Sequence, residues 1–232
     1  IIVVAKENGA ALVEINSETD FAANDDHFTQ FADAVGATIL NRRPLDVGAL
    51  SEMPLAGGVD TVEAARQQLI LKIGENVSIR RFEIRIAANG VLGTYRHGKR
   101  IGVLVDLEGG TPELAKDIAM HIAASNPTCV DDADVPAQVL AKEREIRLAQ
   151  AATSGKPADI VEKMVAGQLR KFIAEITLLG QPFVKDPDTS VGKLLAGKAK
   201  VRNFVRFEVG EGLEKKSVDF AAEVKAQARA AD

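Results

Sequence analysis

The chain has 232 residues, of which 46% are hydrophobic and 27% charged, so it can form one large or two small domains with a packed core. Its formal charge of −4 gives no bulk attraction to nucleic acid, and the single cysteine, Cys129, excludes an internal disulfide bond. The sequence shows no signal peptide, and no apolar run approaches the roughly 20 residues of a membrane-spanning helix. Aromatic residues make up only 4%, so we expect an aliphatic core.

The first residues predict a β-hairpin. Two β-rich runs, 1–5 and 10–15, flank the segment Lys6-Glu7-Asn8-Gly9, and Asn-Gly between apolar runs favours a tight hairpin turn. The first run starts without an initiator methionine. We therefore expect that an N-terminal region precedes it.

Helices and a strand are predicted to follow the hairpin. Phe28, Phe31, Ala32, Val35 and Ile39 recur at helical spacing and predict an amphipathic helix. The segments after it are predicted as a loop, a helix ending at Gly74, and a half-buried strand; they cover residues 41–60, 61–73 and 77–86.

An acid and a large aromatic residue, Asp20 and Phe21, lie at the junction between the hairpin and the first helix. Phe21 is seven residues before Phe28, which would place it on the buried face if the helix were continuous. Asn24-Asp25-Asp26 instead resembles a new helix start, which would free Phe21 from that face. Spacing alone leaves both positions for Phe21 open.

The second half again begins with a predicted hairpin and a helix. The hairpin strands are 91–95 and 101–107, and Pro112 marks the start of the helix. Two charged, alanine-rich helices, 136–153 and 157–179, are separated by Ser154-Gly155-Lys156-Pro157, which predicts an antiparallel helical hairpin. Its thin apolar seam resembles a coiled coil, with Val139, Ile146 and Thr153 seven residues apart. Further predicted elements are a short helix at 190–195, a strand at 201–209 and a helix at 219–230.

These elements indicate a weak internal repeat, because each half has a hairpin, an amphipathic helix and a basic strand with aromatic residues. We predict an α+β protein of two similar subdomains, each a small antiparallel sheet with helices, plus an inserted coiled-coil hairpin and a C-terminal helical module. The predicted boundaries are 1–90 for the first subdomain, 91–130 with 180–213 for the second, 131–179 for the hairpin and 214–232 for the module.

Other possible sites have simpler explanations. The run from Gly93 to Lys99 fits the first seven positions of a phosphate-binding loop, but Arg100 replaces the required hydroxyl and a strand follows, so a hairpin turn is favoured. The three histidines show no metal-ligand spacing; His121 is predicted to be packed and hydrogen-bonded, and His97 exposed. Cys129 lacks activating neighbours. We therefore predict no metal site and no cofactor.

Short segments along nearly the whole chain resemble the bacterial elongation factor Ts family. They are Thr19-Asp20-Phe21, Lys72-Ile73-Gly74-Glu75-Asn76, Ile79-Arg80-Arg81, Tyr95-Arg96-His97-Gly98, Ile118-Ala119-Met120-His121-Ile122-Ala123-Ala124, Ser154-Gly155-Lys156-Pro157, Gly180-Gln181-Pro182-Phe183 and Phe207-Glu208-Val209-Gly210-Glu211-Gly212. The resemblance implies a cytoplasmic guanine-nucleotide exchange factor that binds elongation factor Tu during translation. The family's N-terminal helical domain, with its Thr-Gly-Ala-Gly motif, has no counterpart in this sequence, and loop 41–60 is longer than expected and receives no role.

The resemblance also implies which residues contact the partner. Asp20 and Phe21, after Thr19, correspond to the pair that enters between helices of the GTPase near its magnesium site. The other implied contacts lie in the two subdomains and in the C-terminal module: Ile73, His97, Val184, Asp219 and Phe220. Some relatives pair through the helical hairpin, so dimerisation can accompany exchange.

Two alternatives remain open at the level of sequence. A small-molecule enzyme would bring Asp20, His27 or His97 into one cleft with a shifted pKa. A structural binding module would dimerise through a seam longer than the few heptads present here.

Overall fold

The computed structural model describes residues 1–6, 9–87, 89–152 and 157–213. Its strands are β1 Ile2–Lys6, β2 Gly9–Asn16, β3 Ser78–Ile86, β4 Val91–His97, β5 Ile101–Gly109, β6 Pro182–Phe183, β7 Asp186–Ser190 and β8 Ala199–Glu208. Its helices are α1 Asp20–Asn24, α2 Asp26–Arg42, α3 Val47–Ser51, α4 Val62–Ile73, α5 Pro112–Ser125, α6 Ala137–Ala152, α7 Ala158–Ile176 and α8 Val191–Leu195. Within these ranges no helix has both the length and the apolar character needed to cross a bilayer.

The predicted α+β fold is confirmed, and the repeat is visible in the two sheets. One antiparallel sheet has the order β1-β2-β3 and the other has the order β4-β5-β8. In both sheets the central strand is the second strand of a hairpin and pairs with the last strand of its half. Both central strands also carry a register shift at the corresponding place, after Glu14 and after Asp106. The domain boundaries stay a prediction.

Each sheet packs one face against a helix. Alternate residues of β2, among them Val13 and Ile15, join the buried face of α2, which includes the predicted Phe28 and Val35. In the second sheet Val103, Val105 and Leu107 of β5 pack with Ile118 and Ile122 of α5. The cores are mainly aliphatic, as the composition predicts, although Phe28, Phe31 and Phe183 are buried in them.

The opposite faces of the two sheets pack against each other. Ala10 and Leu12 of β2 lie with Leu104 of β5 and Phe207 of β8 in a third buried cluster. A side chain at Gly102 would collide with Leu12, so glycine permits the close approach of the sheets. Since β2 and β5 are covered on both faces, successive side chains of these strands are buried on alternate sides.

The helical hairpin consists of α6 and α7, which pack on each other. Prediction and structure differ on the face of α6 that meets α7. Val139 and Ile146 are 39% and 41% exposed, whereas Leu148 lies beside Val165 of α7. Residues seven positions apart lie on the same side of a helix, whichever side that is. The spacing of Val139 and Ile146 therefore does not tell which side of α6 meets α7. Thr153 and the turn 154–156 lie outside the described residues.

The structure adds elements that the sequence analysis did not predict. The segment predicted as loop 41–60 contains α3, which Asp46 caps and whose Leu50 is completely buried. The segment after α7 forms the small β6–β7 hairpin. Both are too short to show a periodic pattern. The predicted C-terminal helix 219–230 lies outside the described residues.

Candidate functional site

The junction between β2 and α2 forms a separate short helix, α1. Thr19 caps its start, because its side-chain oxygen accepts a hydrogen bond from the Ala22 N–H. Asp25 has an extended backbone, ends α1 and caps α2 by accepting a hydrogen bond from the His27 N–H. The predicted new helix start is therefore confirmed, and α1 does not continue the buried face of α2.

This break decides the position of Phe21. The side chain is 88% exposed, whereas Phe28 on α2 is buried. Ala22, the next residue, is buried and anchors α1 to the body. Asp20 is also exposed. The acid and the aromatic ring thus project together from one turn of helix.

The segment after α4 lies against the start of α1. Glu75 accepts hydrogen bonds from the backbone N–H and the hydroxyl of Thr19, at 2.9 and 2.6 Å. Gly74 ends α4 with a left-handed backbone (φ 79°), which glycine adopts without strain and which turns the chain toward Thr19. The backbone N–H and the hydroxyl of Thr19 therefore have a hydrogen-bond partner within this chain.

Ile73 has a different environment from Phe21. Its side chain is partly buried and packs against the core between β2 and α2. On the same helix Leu71 is 85% exposed, although the sequence analysis gave it no role. Nearby, Lys72 Nζ lies 3.3 Å from His27 Nδ1 at the start of α2. The end of α4 and the start of α2 therefore lie side by side.

His97 lies at the end of β4. The pairing of β4 with β5 confirms the hairpin that was predicted there in place of a phosphate-binding loop. His97 is exposed, as predicted, and its ring stacks on Tyr95 with 6.4 Å between centroids. Lys99 in the following turn reaches α1, where its Nζ donates to Ala23 O at 2.9 Å and to Asn24 Oδ1 at 2.7 Å. This turn thus joins the second sheet to the exposed helix.

Val184 lies in the turn between β6 and β7, and its side chain is 43% exposed. Its backbone N–H donates to Nδ1 of His121, so Nε2 of this histidine carries the proton and donates to Gln181 Oε1. His121 is completely buried, as predicted. Burial lowers its pKa, and the hydrogen bond to Gln181 opposes this only in part. His121 therefore fixes the loop that carries Val184.

Two predicted contacts, Asp219 and Phe220, lie outside the described residues. The six predicted contacts that the structure does describe are spread over α1, α4 and the two hairpin turns of the second half. Their role as partner contacts stays a prediction.

The arrangement gives no support to the small-molecule enzyme hypothesis. A cavity of about 190 Å³ lies beneath α1 and is lined by Asp20, Arg96 and Lys99 among others, but neither His27 nor His97 is in its lining. No group of three or more histidine, cysteine or acidic residues among the described residues could hold a metal ion.

Two residues at this site, Glu75 and Lys99, were not predicted from the sequence. Glu75 belongs to one of the family-like segments, but only Ile73 of that segment received a role. Lys99 is the last position of the partial match to a phosphate-binding loop, and that match predicts no contact with α1. Their contacts join residues 56 and 75 or more positions apart, and periodicity does not report such distances.

Comparison with known proteins identifies the family. The family model described as "Elongation factor TS" matches residues 18–211. Elongation factor Ts of Thioalkalivibrio sulfidiphilus is 61% identical over 224 residues, which cover 96% of this chain and 76% of that protein. Elongation factor Ts of Methylococcus capsulatus is 58% identical (95% and 75% covered), and that of Legionella pneumophila strain Paris 54% (99% and 79% covered). This chain therefore belongs to the elongation factor Ts family of translation elongation factors.

Proposed function

We propose that the protein is a cytoplasmic guanine-nucleotide exchange factor that binds elongation factor Tu and promotes the release of its GDP. The observation that carries this proposal is the exposure of Phe21 beside Asp20 on a short helix that is separate from the buried face of α2. A large exposed ring in a chain with few aromatic residues is costly in water, and burying it in a partner would recover about 1.5–3 kcal/mol. Membership of the elongation factor Ts family names the partner class.

The proposed mechanism acts on the partner's nucleotide site. Phe21 enters between helices of the GTPase and shifts these helices, which support the bound magnesium ion, and Asp20 lies beside the ring at this metal site. Weaker metal binding leaves the phosphates of GDP less compensated, so GDP dissociates faster. This function includes no covalent step by the exchange factor.

Thermodynamic linkage sets what the factor must do. It accelerates release because it binds the nucleotide-free GTPase more tightly than the GDP-bound form, and GDP weakens factor binding by the same ratio. Such coupling is commonly about 1–3 kcal/mol. GTP rebinding then displaces the factor. A factor that works in this way needs no nucleotide site of its own. The run Gly93–Lys99, which resembles part of a phosphate-binding loop, forms part of a β-hairpin.

The proposal is tested by the release of fluorescent GDP from elongation factor Tu, measured by stopped flow with and without the protein. We expect wild type to accelerate release. Phe21→Ala should reduce the acceleration by about tenfold or more, because a central aromatic contact is worth about 2 kcal/mol in an interface.

Leu45→Ala is the matched control, because Leu45 is 95% exposed but follows the opposite end of α2. This variant should exchange as wild type does. If wild type gave no acceleration, the proposed function would be wrong. If Phe21→Ala exchanged as fast as wild type, the proposed role of the ring would be wrong while the function could stand.

A further inference from the structure

The exposed helix α1 is too short to hold its own orientation. Isolated helices shorter than about 12 residues are marginal in water, and α1 has five residues. Ala22 is buried, while Asp20 and Phe21, the first two residues of α1, are exposed. The direction in which Phe21 projects must therefore be fixed by contacts from outside α1.

One such contact fixes the start of the helix. Both carboxylate oxygens of Glu75 accept hydrogen bonds from Thr19, one from the backbone N–H and one from the hydroxyl. The same hydroxyl oxygen accepts a hydrogen bond from the Ala22 N–H. Glu75 thus orients the capping side chain and places a negative charge at the helix N-terminus, where it is favourable.

A second contact fixes the end of the helix. The ammonium group of Lys99 donates to the carbonyl oxygen of Ala23, one of the carbonyls that a helix end leaves without an internal partner. It also donates to the side-chain oxygen of Asn24, whose amide in turn donates to Asp20 O. The positive charge lies at the helix C-terminus, where it is again favourable.

The two contacts come from different parts of the fold. Glu75 follows α4 in the first half of the chain, whereas Lys99 lies in the turn between β4 and β5 of the second sheet. His97, a predicted partner contact, is two residues before Lys99. The exposed helix is therefore held between two elements, one of which carries a second predicted contact site.

We propose that Glu75 and Lys99 are positioning residues that hold α1 in the orientation in which Phe21 meets the partner. The inference rests on the proposed exchange function. Both residues act through Phe21, because a ring that is already oriented loses less conformational freedom on binding. Removing either contact is expected to lower exchange activity without removing any group that enters the GTPase.

The first test measures the order of α1 in the protein alone. The chain has no tryptophan, so Phe21→Trp introduces a single indole fluorophore that can be excited apart from Tyr95. Time-resolved anisotropy should show restricted motion of this tryptophan, and adding Lys99→Met or Glu75→Gln should increase the amplitude of its fast motion. Lys163→Met, at an exposed lysine of α7, is the control and should leave the motion unchanged. Unchanged motion of the tryptophan in both the Lys99→Met and the Glu75→Gln variant would overturn the proposal.

The second test is a double-mutant cycle in the GDP-release assay. We expect Lys99→Met to reduce the acceleration about three- to tenfold, the range that a partly exposed charge-assisted hydrogen bond supports. Lys99→Arg, which retains a cationic donor, should restore most of it. In the Phe21→Ala background Lys99→Met should cause no further loss, because the residue through which it acts is gone.

The outcomes of the cycle separate the two proposals. Equal losses from Lys99→Met in both backgrounds would mean that Lys99 acts independently of Phe21, and the positioning role would be rejected. Normal exchange by Lys99→Met and Glu75→Gln would reject it as well. A wild type without any acceleration would instead reject the exchange function, and the positioning role with it.

Discussion

At the scale of single residues, Asp25 determines what Phe21 can do. The Asp25 backbone is extended (φ −65°, ψ 139°), so it interrupts the helix between Phe21 and Phe28. Its carboxylate accepts a hydrogen bond from the His27 N–H and so stabilises the new helix start. The spacing of seven residues between the phenylalanines would otherwise place both rings on the buried face.

His121 is the second residue whose environment matters for the predicted contact surface. It is buried with one ring nitrogen donating to Gln181 and the other accepting from the Val184 N–H. Protonation of Nδ1 would replace the acceptor in the second hydrogen bond with a donor. The neutral form is thus required for the loop that carries Val184.

We predict that His121 makes stability depend on pH in mildly acidic solution. Its pKa is lowered in the folded state by burial, so the unfolded chain takes up the proton first as the pH falls below about 6.5. The free energy of unfolding should therefore decrease from pH 7.5 toward pH 5.5. His121→Gln should be less stable by about 1–2 kcal/mol at pH 7.5 but show a smaller decrease. Urea denaturation at several pH values measures both quantities.

His97→Gln is the control for this prediction, because His97 is exposed. This variant should keep the wild-type pH dependence. A decrease of the same size in wild type and His121→Gln would show that other groups are responsible.

At the scale of elements, the contact between β4 and α5 depends on the absence of a side chain at Gly93. A Cβ atom there would overlap the carbonyl group of Ala115 in α5 and lie 2.7 Å from Val105 Cγ1. The glycine that resembles part of a phosphate-binding loop therefore has a packing function. It allows the helix backbone to approach the sheet closely.

We predict opposite effects of alanine at two glycines. Gly93→Ala should destabilise the protein by about 3 kcal/mol, since backbone atoms of α5 must move. Gly167→Ala in α7, where a Cβ atom would meet nothing within 4 Å, should stabilise it by about 0.5–1 kcal/mol through helix propensity. Denaturant unfolding followed by circular dichroism checks both values. A neutral Gly93→Ala would show that α5 shifts without cost.

At the scale of the whole molecule, a buried carboxylate joins the two sheets. Glu14 lies on the face of β2 that meets the second sheet, and its oxygens accept hydrogen bonds from Arg80 at 2.9 Å and Arg81 at 2.6 Å. The Gly210 N–H, in the turn after β8, donates to the same carboxylate. Arg81 also lies over the ring of Phe207 of β8, 4.1 Å from its centroid. Glu14 and its two arginines thus hold the register of β2 and β3 and the contact with β8.

The repeat places a related pair in the second sheet. Arg80 and Arg202 are the extra residues at the two register shifts, and each lies near the carboxylate of the central strand, Glu14 or Asp106. The second pair is longer, at 3.9 Å between Arg202 Nη1 and Asp106 Oδ2. The carboxylate of the first pair is completely buried and its distance is shorter, so we expect this pair to contribute more to stability.

We predict that Glu14→Gln lowers stability by about 2–3 kcal/mol at pH 7, less than a fully buried pair would, because both arginines are partly exposed. Burial by itself raises the pKa of Glu14, but the hydrogen bonds from Gly210, Arg80 and Arg81 outweigh it and the pKa is lowered. The stabilisation is therefore complete above the ordinary value of about 4.3 and is lost as the pH falls through the lower folded-state pKa.

Thermal unfolding between pH 7 and pH 3 tests this prediction. Wild type should lose more stability over that range than Glu14→Gln. Glu83→Gln removes a pair with Arg85 in which the carboxylate is partly exposed, in contrast to the buried Glu14, and should change stability by at most about 0.5 kcal/mol. If Glu14→Gln had an equally small effect, the ion pair would not be important for the contact between the sheets.

The sequence by itself determined the α+β class, the repeat, most helix and strand positions and the family resemblance. These properties depend on local propensity and periodicity, which neighbouring residues encode, as at Phe28–Ile39 and Gly74. Only the tertiary structure decided that Phe21 is exposed, that Val139 and Ile146 lie outside the α6–α7 contact, and that Glu75 and Lys99 hold α1. The contacts of Glu75 and Lys99 join residues far apart in the chain, and such contacts leave no periodic pattern in the sequence. The exposure of Phe21 and the face of α6 that meets α7 were undecided because a spacing of seven residues fits more than one arrangement.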